Sequence, residues 1–256
     1  TLKDVTAKVG LRASNGWWNR LAIGDFNQDG FPDLIAGNSG LNTRFKASEE
    51  KPVSMYVGDF DNNGSVEQIM CTFNGEVQYP MILRHDLVSV LPTLKKRYLK
   101  YEDYKEKTMA DIFSPTQLEG VLKLDAYQLS TSLFLNNTKG GFELKTLPIE
   151  AQFSPVYAIL VKDCDDDGIE DILLSGNFYQ AKPEIGIQDA SYGLLLIGDG
   201  SGGFVSRSIA QSNFFVQGAI RDMATLKLKN RQLIVVAKNN DKVELLEFKT
   251  KVDQKR

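Results

Sequence analysis

Histidine is almost missing from this chain: among 256 residues only His85 carries an imidazole. The commonest general base and metal ligand is therefore excluded everywhere but one position. Cysteine is nearly as scarce. Two residues, Cys71 and Cys164, do not make a disulfide framework, and a free buried pair is the expectation. No apolar run reaches the length of about 18 residues that a membrane-spanning helix needs. The start, Thr1-Leu-Lys-Asp4, has neither a basic n-region nor an apolar h-region. It is expected of an unsecreted protein or of a piece whose signal lies elsewhere, and the second is favoured. A one-signed charge excess is lacking as well: 30 Lys and Arg stand against 33 Asp and Glu, for a formal net charge of -3. That balance gives no support to nucleic-acid binding.

The acidic residues that are present form a pattern. One nine-residue phrase occurs three times, as Asp25-Phe-Asn27-Gln-Asp29-Gly30-Phe31-Pro-Asp33, Asp59-Phe-Asp61-Asn-Asn63-Gly64-Ser65-Val-Glu67 and Asp163-Cys-Asp165-Asp-Asp167-Gly168-Ile169-Glu-Asp171. Oxygen-bearing side chains at positions 1, 3, 5 and 9, a glycine at 6 to turn the backbone, and the backbone carbonyl at 7 (Phe31, Ser65, Ile169) can wrap a hard cation that takes six to eight oxygens. Asp, Asn and Gly are also ordinary turn residues. Three copies, each flanked by apolar stretches on both sides, argue for calcium, up to three ions. The third loop, with four carboxylates, is expected to bind tightest, and the second, with Asn63 and Glu67, to differ in charge and reach. An EF-hand is excluded, since its position 12 is a bidentate Glu between helices and here it is Ala36, Met70 and Leu174. The flanking runs are too short for helices and predict antiparallel strands. Side-chain ligands carry roughly -3, -3 and -4 in the three loops, so three calcium ions would move the net charge from -3 to about +3. Millimolar calcium outside the cell would keep modest-affinity sites filled, which points to an extracellular or cell-surface location.

Self-similarity extends beyond the loops. Leu133-Phe-Leu-Asn136-Asn-Thr-Lys-Gly140-Gly141-Phe142 and Leu195-Leu-Ile-Gly198-Asp-Gly-Ser-Gly202-Gly203-Phe204 are one hairpin written twice, and Asp163 recurs as Asp222 in a copy without metal residues. A period near 60 of strand, loop, strand, strand, Gly-turn, strand describes a four-stranded propeller blade. The expected fold is all-β, a β-propeller-like array of about four antiparallel blades in a single domain over 1–256, with a short helical insertion at about 83–124. In that insertion Ser114-Pro115-Thr-Gln117 is a capping box, Thr108-Met-Ala-Asp111 a weaker one, and Pro92 is expected to open a helix that puts Leu91, Leu94, Tyr98 and Tyr101 on one face. Lys95, Lys96, Arg97 and Lys100 could meet an anionic partner, though such a run is more often a solvated helix face. The short spacing from Asp25 to Asp59 predicts an abbreviated first blade or a second loop placed elsewhere in its blade. Residues 1–7 and 242–248 read as strands that could pair and cover two edges. Gly198-Asp-Gly200-Ser-Gly-Gly203 fits G-x-G-x-x-G, but the next residues, Phe204-Val-Ser-Arg-Ser-Ile209, alternate like a strand, so a dinucleotide site is set aside.

The repeated strand-D-x-D-x-D-G-x-x-D-strand with N/G-x-G-x-F hairpins resembles the FG-GAP (VCBS) repeats of integrin-type propellers. Leu2-Lys-Asp4-Val-Thr6 with Gly10-Leu11 beyond it is similar to a blade ending of the cartilage acidic protein and UnbV-like branch. Gly16-Trp17-Trp18-Asn19, Gly37-Asn38-Ser-Gly40-Leu-Asn42 and Gly176-Asn177-Phe-Tyr179 are similar to the C-terminal part of large surface proteins of Bacteroidetes-type bacteria. The resemblance implies a calcium-binding extracellular module with an unknown protein or glycan ligand, and it departs from the family at Asn27, Asn63 and the loopless Asp222 copy.

Three functions are weighed. The first is a non-enzymatic interaction module with metal-stabilised loops. The second is a propeller hydrolase or lyase acting on surface polysaccharide, against which stand the lone His85 and closed metal cages without an open position. The third is a purely structural domain of a larger surface protein. Trp17, Trp18, Phe178, Tyr179, Phe214 and Phe215 could line a glycan face, although aromatics at blade positions more often pack the core.

Overall fold

The computed structural model describes residues 1–248 apart from 184 and 230. Its strands are β1 (Arg20–Gly24), β2 (Asp33–Gly37), β3 (Val53–Gly58), β4 (Glu67–Asn74), β5 (Val77–Pro80), β6 (Leu122–Ala126), β7 (Ser132–Asn136), β8 (Phe142–Thr146), β9 (Val156–Lys162), β10 (Asp171–Gly176), β11 (Leu194–Gly198), β12 (Phe204–Arg207), β13 (Ile220–Leu228), β14 (Arg231–Lys238) and β15 (Glu244–Phe248). They form four antiparallel sheets, in the orders β1-β2-β7-β8, β5-β4-β3-β6, β12-β11-β10-β9 and β13-β14-β15. A few short helices complete the described structure. Contacts gather the chain into two compact units: Thr1–Arg12, Gly16–Arg44 and the described part of Leu129–Arg256 in one, Ala13–Asn15 and Phe45–Gln128 in the other.

In the first unit, the sheet that begins with β1 and β2 is not abbreviated. It takes its outer strands from beyond residue 128, with Leu34, Ile35 and Ala36 of β2 opposite Phe134, Leu133 and Ser132 of β7. The 133–142 hairpin therefore finishes the first sheet, and the whole segment 45–128 intervenes between its second and third strands. The pairing is driven by burial: Ile35 and Leu133 are both fully buried and share a core with Phe26, Ile172, Leu174 and Leu196. All six residues of β10 are buried. Because side chains alternate along a strand, Ile172 and Leu174 enter that core while Leu173 enters a second one with Phe214, Val216, Ile234 and Val236.

The ends differ from the expectation. Residues 1–7 form no strand, and Leu2 and Val5 stay exposed; with no sheet face to cover them, their apolar spacing has no partner to satisfy. The segment instead turns over residues 6–10 and Phe142 donates its N–H to the Val9 carbonyl. The strand near the other end has a partner after all, since β15 pairs with β14 through Val235 opposite Leu245. Among the described residues the two ends do not pair with each other.

The second unit holds the sheet β5-β4-β3-β6 and the expected helices. Thr108 and Ser114 cap Met109–Ile112 and Pro115–Leu118, each accepting a backbone N–H from the residue three positions on. Two expectations are corrected. Residues 122–126 are a strand, not the end of the helical insertion, and Pro92 opens a 3-10 turn (Pro92–Lys96) instead of a helix running to Tyr101. Leu91, Leu94 and Tyr98 are buried all the same, but Tyr101 is exposed. Arg97, placed with the basic run, donates to the Ile112 carbonyl at 2.8 Å and to that of Asp111. It ties two helical turns together instead of facing a partner.

Candidate metal centres

Each nine-residue loop joins two antiparallel neighbours, as the flanking apolar runs predict. The last ladder pairs are Gly24 with Asp33, Gly58 with Glu67 and Lys162 with Asp171, so position 9 opens the second strand in every copy. Position 4 is left-handed in all three (Gln28 φ 56, Asn62 φ 57, Asp166 φ 61), and the glycine at position 6 has φ 84 to 87. That second turn is why only glycine suits the place.

The same three hydrogen-bond motifs recur. At position 1, Asp25, Asp59 and Asp163 each use one carboxylate oxygen for the position 5 N–H and the other for the glycine N–H, the latter at 2.9, 2.8 and 2.9 Å. At position 5, Asp29, Asn63 and Asp167 accept the N–H of Phe31, Ser65 and Ile169. At position 9, Asp33, Glu67 and Asp171 accept the N–H of position 2, from Phe26, Phe60 and Cys164. Asp33 and Asp171 are fully buried, and each also accepts an N–H from a neighbouring strand end, Asn136 at 2.7 Å and Gly198 at 2.9 Å.

Positions 1, 3 and 9 converge. Carboxylate oxygens of Asp59, Asp61 and Glu67, and likewise of Asp163, Asp165 and Asp171, lie within 4.8 Å of one another. The Oδ1 atoms of Asp61 and Asp165 are buried, and that of Asp61 has no hydrogen-bond partner among the described residues. In the first loop Asn27 stands where the others have Asp, and its amide donates to Asp29 at 3.0 Å. Asp25, Asp29 and Asp33 of that loop do not form such a convergent group of three carboxylates, unlike the other two loops.

Protonation depends on environment. Burial pushes Asp33 and Asp171 above the usual carboxylate range, with Asp29 and Asp25 adding to it for the first and Asp165 and Asp167 for the second, against two backbone N–H donors each. The Gly64 N–H and its neighbours hold Asp59 below that range. Burial opposes the same shift at Asp163, but the N–H groups of Gly168, Asp166, Asp167 and Asp165 outweigh it. The third loop thus holds both a preformed acceptor for backbone donors, Asp163, and a buried carboxylate, Asp171, that is costly to ionise without a nearby cation.

The first and third loops touch. Asp25 donates its N–H to Glu170 Oε2 at 2.7 Å, Gln28 Nε2 reaches the Gly168 carbonyl at 3.3 Å, and Gly202 N–H meets the Phe26 carbonyl at 3.0 Å. Glu170 escapes a motif-based reading because it lies at position 8, where the other loops have Pro32 and Val66; an acid replacing an apolar residue was the available signal. Glu170→Ala should lower the stability of the first unit by about 1–2 kcal/mol, since a charge-assisted hydrogen bond is lost and Asp25 N–H is left to solvent. Urea unfolding monitored through Trp17 and Trp18, both in that unit, measures it; no change would mean the contact does not hold the loops together.

Both cysteines are free thiols. Burial pushes Cys71 and Cys164 up to about 12, so neither is a thiolate near neutral pH. Cys164 sits at position 2 of the third loop and its N–H binds Asp171 at 2.7 Å. In a Cys71→Ser variant, Cys164 should react slowly with a thiol reagent at pH 8 and faster once the loop is opened by urea. Fast labelling of the folded protein would contradict the burial.

His85 is exposed on the helix Arg84–Val90, with Tyr101 Oη at 2.9 Å from Nδ1 and Asp86 at 3.2 Å from Nε2. Asp222, the repeat without a loop, lies in β13 and pairs with Arg20 at 2.6 Å. The G-x-G-x-x-G stretch is the tip of the β11–β12 hairpin, where Asp199 accepts the N–H groups of Ser201 and Gly203. Of the aromatics, Phe214 is core, while Tyr179 and Phe215 are exposed.

Among the described residues no helix is long and apolar enough to cross a membrane. No curated protein matches the sequence. The family model of the FG-GAP repeat matches residues 17–47, the stretch that holds β1, the first loop, β2 and the Gly37-Asn38 turn.

Proposed function

We propose that this protein is a calcium-stabilised interaction module of the extracellular space or cell surface, with propeller-like sheets that present a protein or glycan ligand and loops that each hold one ion. The observation that carries the metal is the buried Asp61 Oδ1, which accepts no hydrogen bond among the described residues and faces the carboxylates of Asp59 and Glu67. A carboxylate oxygen buried without a donor, beside two further carboxylates, is unfavourable. A hard divalent cation removes that cost, and an all-oxygen ligand set without histidine or cysteine suits calcium. When bound, calcium would supply charge neutralisation and cross-linking of two strand ends. The donors would be Asp25, Asn27, Asp29, Asp33 and the Phe31 carbonyl; Asp59, Asp61, Asn63, Glu67 and the Ser65 carbonyl; and Asp163, Asp165, Asp167, Asp171 and the Ile169 carbonyl.

The FG-GAP match supports a binding role outside the cell. His85 supports binding over catalysis as well, since its ring partners are Tyr101 and Asp86 on the surface of a helical segment. Calorimetric titration of chelator-treated protein with calcium is expected to saturate with up to three ions, and melting temperature should rise between excess EGTA and millimolar calcium. An ion that binds only the folded form contributes about 2.7 kcal/mol per site at a hundredfold excess over Kd. No heat and no change in melting would overturn the metal reading.

A further inference from the structure

A cleft of about 480 Å³ opens in the first unit, away from the metal loops, between the 3-10 turn Ile149–Gln152, the segment 190–194 and the end of β12. Val156, Leu174 and Leu194 lie among its lining residues and give it apolar surface, and Glu150, Tyr192 and Arg207 give it chemistry. Its volume lies in the range of small-molecule sites, about 300–1,000 Å³.

The polar groups are held but not used up. Ser206 donates to Glu150 Oε1 at 2.7 Å, which fixes that carboxylate, lowers its pKa and leaves Oε2 without a partner on any other described residue. Arg207 pairs with Leu195 through the β11–β12 ladder, but its guanidinium has no hydrogen-bond or ion-pair partner among the described residues, Glu150 included. The Tyr192 ring is stacked on Phe215, which is not part of the lining, at 5.8 Å and 3°. It is 44% exposed and Phe153, also at the cleft, 45%. A stacked, half-exposed Tyr192 ring and an exposed Phe153 ring beside an acceptor-only carboxylate and a donor-only guanidinium match a ligand with apolar faces and hydroxyl edges that donate and accept. A purely anionic ligand would meet Glu150, and a purely cationic one Arg207.

We propose that this cleft binds a short oligosaccharide of neutral pyranose units, whose C–H faces lie on Tyr192 or Phe153 and whose hydroxyls bridge Glu150 and Arg207. The proposal rests on the interaction-module reading and names its ligand class. The test is saturation-transfer NMR and calorimetry of the full chain in millimolar calcium against a panel of neutral di- to tetrasaccharides, with free amino acids and short peptides as comparison ligands. At least one saccharide should bind saturably, and Tyr192→Ala and Arg207→Ala should each weaken it by about tenfold or more while Tyr192→Phe keeps most of the affinity. Melting curves establish that each variant is folded, and Lys227→Ala, outside the cleft, should bind as the parent does. Absence of saccharide binding, binding unaffected by the Tyr192 and Arg207 changes, or preferential binding of amino acids or peptides would each overturn the proposal. Capture of a protein or a larger glycan, or a calcium-dependent melting temperature, would survive such a result, so the wider reading fails separately.

Discussion

Asp171→Ala is expected to lower the stability of the first unit by about 3–5 kcal/mol in calcium, the largest effect of any single change in the loops. Its carboxylate is fully buried and accepts the N–H of Cys164 at 2.7 Å and of Gly198 at 2.9 Å. Truncation leaves two donors unsatisfied at about 1–3 kcal/mol each and removes one of the converging oxygens of the third loop. In EGTA the loss should be smaller, because without the ion the buried carboxylate is itself unfavourable: burial raises its pKa, so ionising it at neutral pH costs stability that protonation would recover. Asp222→Ala is the control. Its ion pair with Arg20 is between groups 46% and 39% exposed, and such pairs contribute about 0–1 kcal/mol. Urea titrations read through the tryptophans, with calcium and with EGTA, give all four values. Equal losses at Asp171 and Asp222, or a loss at Asp171 indifferent to calcium, would contradict the proposed role of the third loop.

Much of this arrangement was legible in the residues because loop and strand signals are local. Gly30, Gly64 and Gly168 mark the left-handed turn, the spacing to Asp33, Glu67 and Asp171 sets where the second strand starts, and the capping boxes at Thr108 and Ser114 each span four residues. Sheet membership is not local. Leu133 and Leu195 begin equivalent hairpins, but nothing in either hairpin says that β7 belongs beside β2, nearly a hundred residues upstream, while β11 belongs beside its immediate predecessor β10. That information lies in which apolar faces are left uncovered, and Ile35 has no cover until Leu133 supplies it. Residues 1–7, which read as a strand, form none for the same reason: a strand segment without an available edge remains irregular chain.

The candidate sites divide along the same line. Carboxylates at positions 1, 3, 5 and 9 can be read from spacing. Glu170, which joins the first loop to the third, and the cleft at Tyr192 and Arg207 are assembled by neighbouring sheets and turns, and no short motif carries them. The loops therefore do more than close hairpins. In the first unit they sit where one sheet contacts the next, at Asp25 with Glu170 and at Phe26 with Gly202. The segment 190–194, which lines the cleft, is held by other bonds of the same unit.

Asn177 ties down that segment through both the N–H and the carbonyl of Ser191. It is buried and holds φ 88, a conformation in the left-handed range that a side chain with a local hydrogen-bonding role tolerates best. Its Oδ1 accepts from Ser154 Oγ at 2.7 Å and from Ser191 N–H at 2.9 Å, and its Nδ2 donates to the carbonyls of Ser191 at 2.8 Å and Gly218 at 3.0 Å. Asn177→Ala loses all four bonds in a buried setting and places a Cβ without compensation at positive φ, for an expected loss of about 4 kcal/mol or more. Asn177→Gly loses the same bonds without the backbone strain and should be about 1 kcal/mol less damaging. Because Ser191 lines the cleft, both variants should also weaken saccharide binding under conditions where they remain folded, although Asn177 is not among the lining residues. Urea unfolding and calorimetry on the same samples read the two effects. Native-like stability of Asn177→Ala would show that water or neighbouring groups replace the four bonds, and the segment 190–194 would then have to be held by something other than Asn177.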